Sequence, residues 1–359
     1  MVQKLQSVFL DCRRHCIEHL VSTHLVFYQR IFLTVSLKSD TLTQLIHIVD
    51  MIHPLAVDDF QKDHSLQFTD LFRFRELCFF HLIQLHSLLF EHLTDGSKPN
   101  KNAVFNMDDP SSAIIRERTK ANVLTYGEGH DNDIYPLSFT VEPKHMQLLL
   151  HTPVGEMDLE LKITGEFNVY NVMGVIGAML AENIDKDIIS SVLDGFDGVP
   201  GRFQLVEAGQ PYTVIVDYAH TPDGLENVLK TARSITRGKL WVVFGCGGDR
   251  DNKKRPLMGA LALELADNIV VTSDNPRTED PELIIDEIFT ALQNVPAGKH
   301  VTRLSDRREA ICYALAEAAD NDVILIAGKG HENYQILKDR TIHFDDKEVV
   351  MEYWSDKKC

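Results

Sequence analysis

Between Thr213 and Ala327, short apolar runs alternate with stretches of helix length, and this rhythm constrains the fold more than any other feature. The runs are Thr213–Asp217, Lys239–Phe244, Ile269–Ser273, Val301–Leu304 and Val323–Ala327. Helices are expected over Pro222–Ile235, Pro256–Leu265, Pro281–Leu292 and Asp306–Ala318. Short continuous runs rich in Val and Ile read as strands buried on both faces. Strands alternating with helices build a parallel, Rossmann-like α/β sheet. Ligands of open α/β sheets bind outside the carboxyl ends of the strands. The loops that follow these runs are therefore where a site is expected. The tail, Tyr334 to Val350, reads as a hairpin and a last helix.

Upstream the pattern differs. Asn102–Asn106 reads as a strand, and Ile134 to Ile163 alternates apolar and polar residues as antiparallel strands do, with a turn at Pro153–Gly155. Helices are expected at Val172–Leu180 and about Asp185–Leu193. Gly198–Arg202, a Gly/Pro hinge, marks the main domain boundary. Residues 1–95 contain no glycine, one proline (Pro54) and nine of the 16 histidines. Three parts are thus expected: an unassigned segment over 1–95, helical or poorly ordered; a central domain over 96–202; and a carboxyl-terminal domain over 203–359. A helix should stop near Gly96. His15 and His19 stand at i, i+4, but no third ligand at telling spacing completes a metal site.

With 359 residues the chain has room for two to three domains of ~150 residues. A net charge of −17 argues against nucleic acid or an anionic membrane as partner. No apolar run reaches the ~18 residues of a membrane span, and the first residues lack a signal-peptide layout. The six cysteines are scattered without a Cys-x-x-Cys pair, which fits reduced thiols. These observations point to a cytoplasmic protein.

The loops carry the candidate chemistry. Gly245–Arg250 follows one strand and Ser273–Arg277 the next, so Arg250 and Arg277 both fall on the binding edge. A guanidinium is a rigid fork of donors that matches a carboxylate, so a small acid is the expected ligand. Asp217 and His220 stand at another strand end, where they can hold a ribose and a phosphate or simply form a turn. Asn168 and Asn171 at a helix start can cap the helix or meet a purine edge. Gly328–Glu332 looks like a phosphate loop without the Gly-x-x-x-x-Gly-Lys-Ser/Thr spacing.

Six stretches, Gly165–Asn171, Gly198–Phe203, Val216–Asp223, Gly245–Asp251, Asp274–Arg277 and Gly328–Glu332, occur in the order found in the Mur ligases. From about 87 to 350 the chain resembles that family. The resemblance implies a Rossmann-like carboxyl-terminal domain behind a partial central, ATP-binding domain. It also implies an ADP-forming ligase of peptidoglycan synthesis. ATP would phosphorylate the glutamate carboxylate of UDP-N-acetylmuramoyl-alanyl-glutamate, and the amine of meso-diaminopimelate would attack the acyl phosphate. ATP and Mg2+ are the implied cofactors. By motif match, Arg250, Asp274, Asn275, Pro276, Arg277, Gly328 and Glu332 form the diaminopimelate site. The same match turns Asn168, Asn171, Arg202 and Asp217 toward ATP, with His220 as the catalytic candidate. Asp-Asn-Pro-Arg is the family's signature for diaminopimelate over lysine, whose side chain lacks the distal carboxylate.

Two departures from the family pattern stand out. The glycine-free segment cannot supply the family's Gly-Thr-x-Gly-Lys-Thr loop. His86 stands where the family carries its carbamylated, magnesium-holding lysine. The chain therefore reads as the carboxyl-terminal half of such a ligase behind an unrelated or out-of-frame amino end. The alternative function is a truncated, inactive fragment that still binds diaminopimelate.

Overall fold

The computed structural model describes Phe90 and residues 101–356. The histidine cluster, the helix expected to stop near Gly96 and the His86 position lie outside the described residues. In chain order the elements are β1 (Asn102–Asn106), α1 (Pro110–Arg116), β2 (Asn122–Tyr126), β3 (Tyr135–Val141), β4 (Met146–His151) and β5 (Met157–Leu161). Next come α2 (Phe167–Ala181), α3 (Lys186–Asp194), β6 (Gln204–Leu205), β7 (Thr213–Asp217), α4 (Pro222–Ile235), β8 (Leu240–Phe244) and α5 (Lys254–Leu265). The last are β9 (Asn268–Val271), α6 (Pro281–Phe289), β10 (His300–Arg303), α7 (Arg307–Glu317), β11 (Val323–Ala327), β12 (Tyr334–Ile336), β13 (Thr341–His343) and α8 (Asp346–Asp356).

The chain divides into two compact units. Among its described residues, the first holds the chain to Pro136, Leu150–Glu156 and Tyr170–Ile189. In it β1 and β2 pair in parallel, Asn102 opposite Asn122, over a small core of Phe90, Ala103, Phe105 and Ile115. Helix α1 and strand β2 were not expected from the sequence. The helix had a legible start, because Asp109 caps it by accepting from Ser111 N and Pro110 fills its first position. Helix α2 begins at Phe167 rather than Val172, since the turn closed by Asn168 N to Gly165 O runs straight into it.

The second unit holds Leu137–Leu149, Met157–Val169 and the chain from Ser190. Its centre is a six-stranded sheet in the order β10-β9-β8-β11-β7-β6, parallel except for β6 against β7. Strand β11 inserts between β7 and β8, which are consecutive in sequence. That insertion makes a topological switch point, the usual place for a ligand crevice. Side chains alternate across the sheet as the pleat requires. Ile215, Val242, Ile269 and Leu325 face the helices α4, α5 and α6, while Val214, Val243, Val270 and Ile324 face α7 and α8. Covering both faces explains why these strands read as continuous apolar runs. Helix α6 stops at Phe289, short of the expected Leu292.

Among the described residues Cys246 is a free, buried cysteine. Among the described residues no helix is long and apolar enough to cross a membrane.

Candidate functional site

The carboxyl ends of β7, β8, β9 and β11 open into four loops of the second unit, and most candidate residues stand there. Behind β8, the Gly-Cys-Gly-Gly run lets two loops touch backbone to backbone. Gly248 N donates to Asn275 O at 2.9 Å, and Arg277 Nη1 donates to Gly248 O at 2.9 Å and to Asn275 O at 3.3 Å. The point where a Cβ would stand on Gly247 lies 2.9 Å from Arg277 Nη1 and 3.7 Å from Arg250 Cγ. The two arginines therefore flank one glycine. Arg277 itself sits at φ 53° and Asp249, next to Arg250, also at φ 53°. Both are left-handed positions that cost energy in a non-glycine residue and tend to collect at functional sites. Pro276 is buried, and its carbonyl accepts from Glu279 N at 3.1 Å.

Behind β9 and β11 the chemistry reverses. Lys329 is completely buried, with Nζ 3.3 Å from Asn275 Oδ1, 3.4 Å from Glu332 Oε2 and 3.7 Å from Asp274 Oδ1. The Tyr334 ring lies 5.5 Å from the same ammonium. Asn275 donates to Glu332 Oε2 at 2.9 Å and accepts from Ile336 N at 2.9 Å, so both ends of its amide are engaged. Asp274 is 6% exposed and its Oδ1 has no hydrogen-bond donor in the structure. Gly328, at φ 119°, leaves the space beside Asp274 Oδ2 open. The charge of Glu332 pushes the nearby Tyr334 phenol up.

Beneath this cluster Arg307 and Asp346, both fully buried, form a two-point pair at 2.8 and 2.7 Å. Arg307 also donates to Ala327 O at 3.1 Å, holding the end of β11 that leads into Gly328.

Arg202, Asp217 and His220 gather around Tyr218. The Arg202 guanidinium stands 4.7 Å over the Tyr218 ring, and the His220 ring meets its edge at 4.7 Å. Asp217 accepts from Phe203 N and from Ala219 N, each at 2.7 Å. Burial pushes its carboxyl up, while the two amides and Arg202 pull it down. Oδ2 thus pins the turn that carries Arg202, and Oδ1 the loop that follows β7. Gly201 in that turn has φ 69° and touches Gly330 and His331 so closely that a Cβ would stand 2.1 Å from His331 N. Burial holds the His220 imidazole below its ordinary value, opposed by the Nδ1 bond to Tyr218 O at 2.8 Å. A carbonyl only accepts, so Nδ1 carries the proton and Nε2 keeps its lone pair. Lys254 donates to His220 O at 2.8 Å and ties this loop to α5.

The structure brings Arg250, Asp274, Asn275, Pro276, Arg277, Gly328 and Glu332 together, with Arg202, Asp217 and His220 around Tyr218. Asn168 donates from its amide to Thr164 O at 2.7 Å. Asn171 belongs to the first unit. Sequence reasoning missed Lys329, Arg307, Arg255 and Glu279. Lys329 lay inside the quoted Gly328–Glu332 stretch, but nothing in its spacing said that it turns inward.

An open, mostly parallel sheet with charged loops gathered at its strand ends defines an α/β protein of the strand-end-binding class. The chain belongs to the Mur ligase family. Residues 81–179 match the Mur ligase middle domain and residues 201–330 the Mur ligase glutamate ligase domain. The UDP-N-acetylmuramoyl-L-alanyl-D-glutamate–2,6-diaminopimelate ligase of Geobacillus kaustophilus is 46% identical over 266 residues, 73% of this chain and 54% of that protein. The enzyme of the same name from Clostridium botulinum is 41% identical over 302 residues, 81% of this chain and 62% of that protein. A solved structure of a ligase of that name superposes with a TM-score of 0.58 at 33% identity, covering 82% of this chain and 58% of that one. The chain spans about half the length of the curated relatives it matches.

Proposed function

We propose that the second unit carries the amino-acid site of an ATP-dependent ligase that adds meso-diaminopimelate to UDP-N-acetylmuramoyl-L-alanyl-D-glutamate, releasing ADP. The observation that carries this reading is one loop cluster with two opposite ends. Arg250 and Arg277 flank Gly247, and Asp274, Asn275 and Glu332 surround Lys329. Asn275 belongs to both ends, through its carbonyl to Arg277 and its side chain to Glu332. A ligand with a carboxylate at one point and an ammonium a few ångströms on is complementary to such a cluster. Diaminopimelate has both groups at its distal end. Lysine has only the ammonium and would leave the arginine end unpaired.

The relatives' names say which amino acid those enzymes take, and the same choice is proposed here. ATP would supply the phosphoryl group that activates the carboxylate. Of the residues assigned to it, Arg202 offers a cation and His220 a free Nε2. Asp217 contributes by holding the Arg202 turn, since its own oxygens are taken. His220, neutral through burial, would accept a proton from the attacking amine. Among the described residues no group of three or more His, Cys, Asp or Glu is placed to hold a metal, so no step is assigned to Mg2+. The domain limits 96–202 and 203–359, and a cytoplasmic location, belong to the same proposal.

A second reading is binding without turnover. The 359 residues contain no Gly-x-x-x-x-Gly-Lys-Ser/Thr run, the loop that would position the transferring phosphates. ADP release is the deciding measurement, with ATP, Mg2+, the UDP-linked dipeptide and meso-diaminopimelate. Release that depends on both co-substrates supports the ligase. No release, with a full-length relative active alongside, leaves the binding domain alone.

A further inference from the structure

Neither arginine at the Gly247 site donates a hydrogen bond to another side chain. Arg250 donates only to the adjacent Asp249 carbonyl, at 3.3 Å, and Arg277 only to backbone carbonyls. What holds them is the backbone of two loops, and those loops are clamped from beneath. Arg255 on α5 is 1% exposed. It grips both oxygens of Glu279, Nη1 to Oε2 and Nη2 to Oε1 at 2.9 Å each, reaches Glu287 on α6 at 3.0 Å and donates to Gly247 O at 3.3 Å. Glu279 Oε1 in turn accepts from Asp249 N at 2.5 Å. Asp249 closes the circle from above, its carboxylate accepting from Thr278 Oγ1 at 2.7 Å and Thr278 N at 3.2 Å.

The Glu279 side chain thus joins its own Arg277 loop to the Arg250 loop and to the buried Arg255. A two-point grip on a carboxylate is sensitive to the spacing of its cations, because a displacement of about 1 Å can cost ~10²-fold. Resting on the acid-binding reading above, we propose that Glu279 is a positioning residue for specificity. Braced by Arg255, it sets the separation of Arg250 and Arg277, and so the preference for an amino acid with a distal carboxylate over one without.

The test is calorimetric titration of the full chain and its Glu279→Gln variant with meso-diaminopimelate and with lysine. Gln keeps the shape but loses the charge that faces Arg255. The wild type should prefer diaminopimelate, and the variant's preference should fall about tenfold with lysine affinity nearly unchanged. Equal weakening toward both ligands, which a merely structural role would give, overturns the inference, as does an unchanged ratio. No preference in the wild type overturns the acid-binding reading itself and the inference with it. If Glu279→Gln fails to fold, Thr278→Val removes the upper tie alone. It should lower the same ratio by a smaller factor, and an unchanged ratio there overturns the proposal.

Discussion

The two ends of the loop cluster solve opposite problems with the same kinds of residue. At the arginine end the cations stay partly or fully exposed and the backbone beneath them is rigid. At the lysine end the cation is buried completely and the carboxylates are presented around it. Arginine's guanidinium keeps its charge and its planar fork when held only from behind. A lysine turned inward becomes a counter-ion that lets two carboxylates stand close together at the mouth. On the reading proposed above, one end would take an anion and the other a cation. The difference lies in which charge is spent on the scaffold.

The largest expected effect tests the buried end. Lys329→Met leaves Asp274 and Glu332 without their counter-ion, and should cost about 3–5 kcal/mol in urea unfolding. A loss below about 1 kcal/mol would mean that the ammonium is not the scaffold of that end. Next, Arg277→Ala should abolish the rise in melting temperature given by diaminopimelate, a binding loss of about 2–5 kcal/mol. A persistent shift would remove the arginine end from the account.

A smaller effect concerns the neighbouring Tyr218 group. Burial lowers His220 in the folded chain below its unfolded value of about 6.5. The unfolded chain then binds the proton first, so this contribution is complete above about pH 6.5 and is lost as pH falls through the folded value. Lys254 and Arg202 face the ring with the same sign of effect, and Asp274 opposes them. The melting temperature of His220→Gln should fall less between pH 7 and 5 than that of the wild type. Parallel curves would show that His220 is not the group responsible. The smallest effect is at exposed Arg250. Arg250→Ala should leave the unliganded melting temperature unchanged and weaken diaminopimelate severalfold, increasingly so at low salt. A change in stability would mean that Arg250 is also part of the clamp.

Much of this was legible in the sequence. Strands β7 and β11 and helix α4 fall on their expected bounds, and the other sheet elements lie within a few residues of theirs, because a sheet covered on both faces leaves an unbroken apolar signature. The sequence stretches also located the loops. What they did not contain is the direction in which a side chain points. Lys329, within an apparent phosphate loop, faces inward to carboxylates contributed by another strand end. Asp217, left open by the sequence between a ribose ligand and a turn former, spends both oxygens on amides of its own and a preceding loop.

Local composition by itself determined the strands, their mostly parallel direction and the four loops on one edge, since burial and turn chemistry act over a few residues. Only the tertiary structure decided that Glu279 meets Arg255 and Asp249, that Arg307 meets Asp346, and that two arginines 27 positions apart flank one glycine. Charges pair through space. Where β11 enters between β7 and β8 sets which of them can reach each other, and no local pattern encodes that distance.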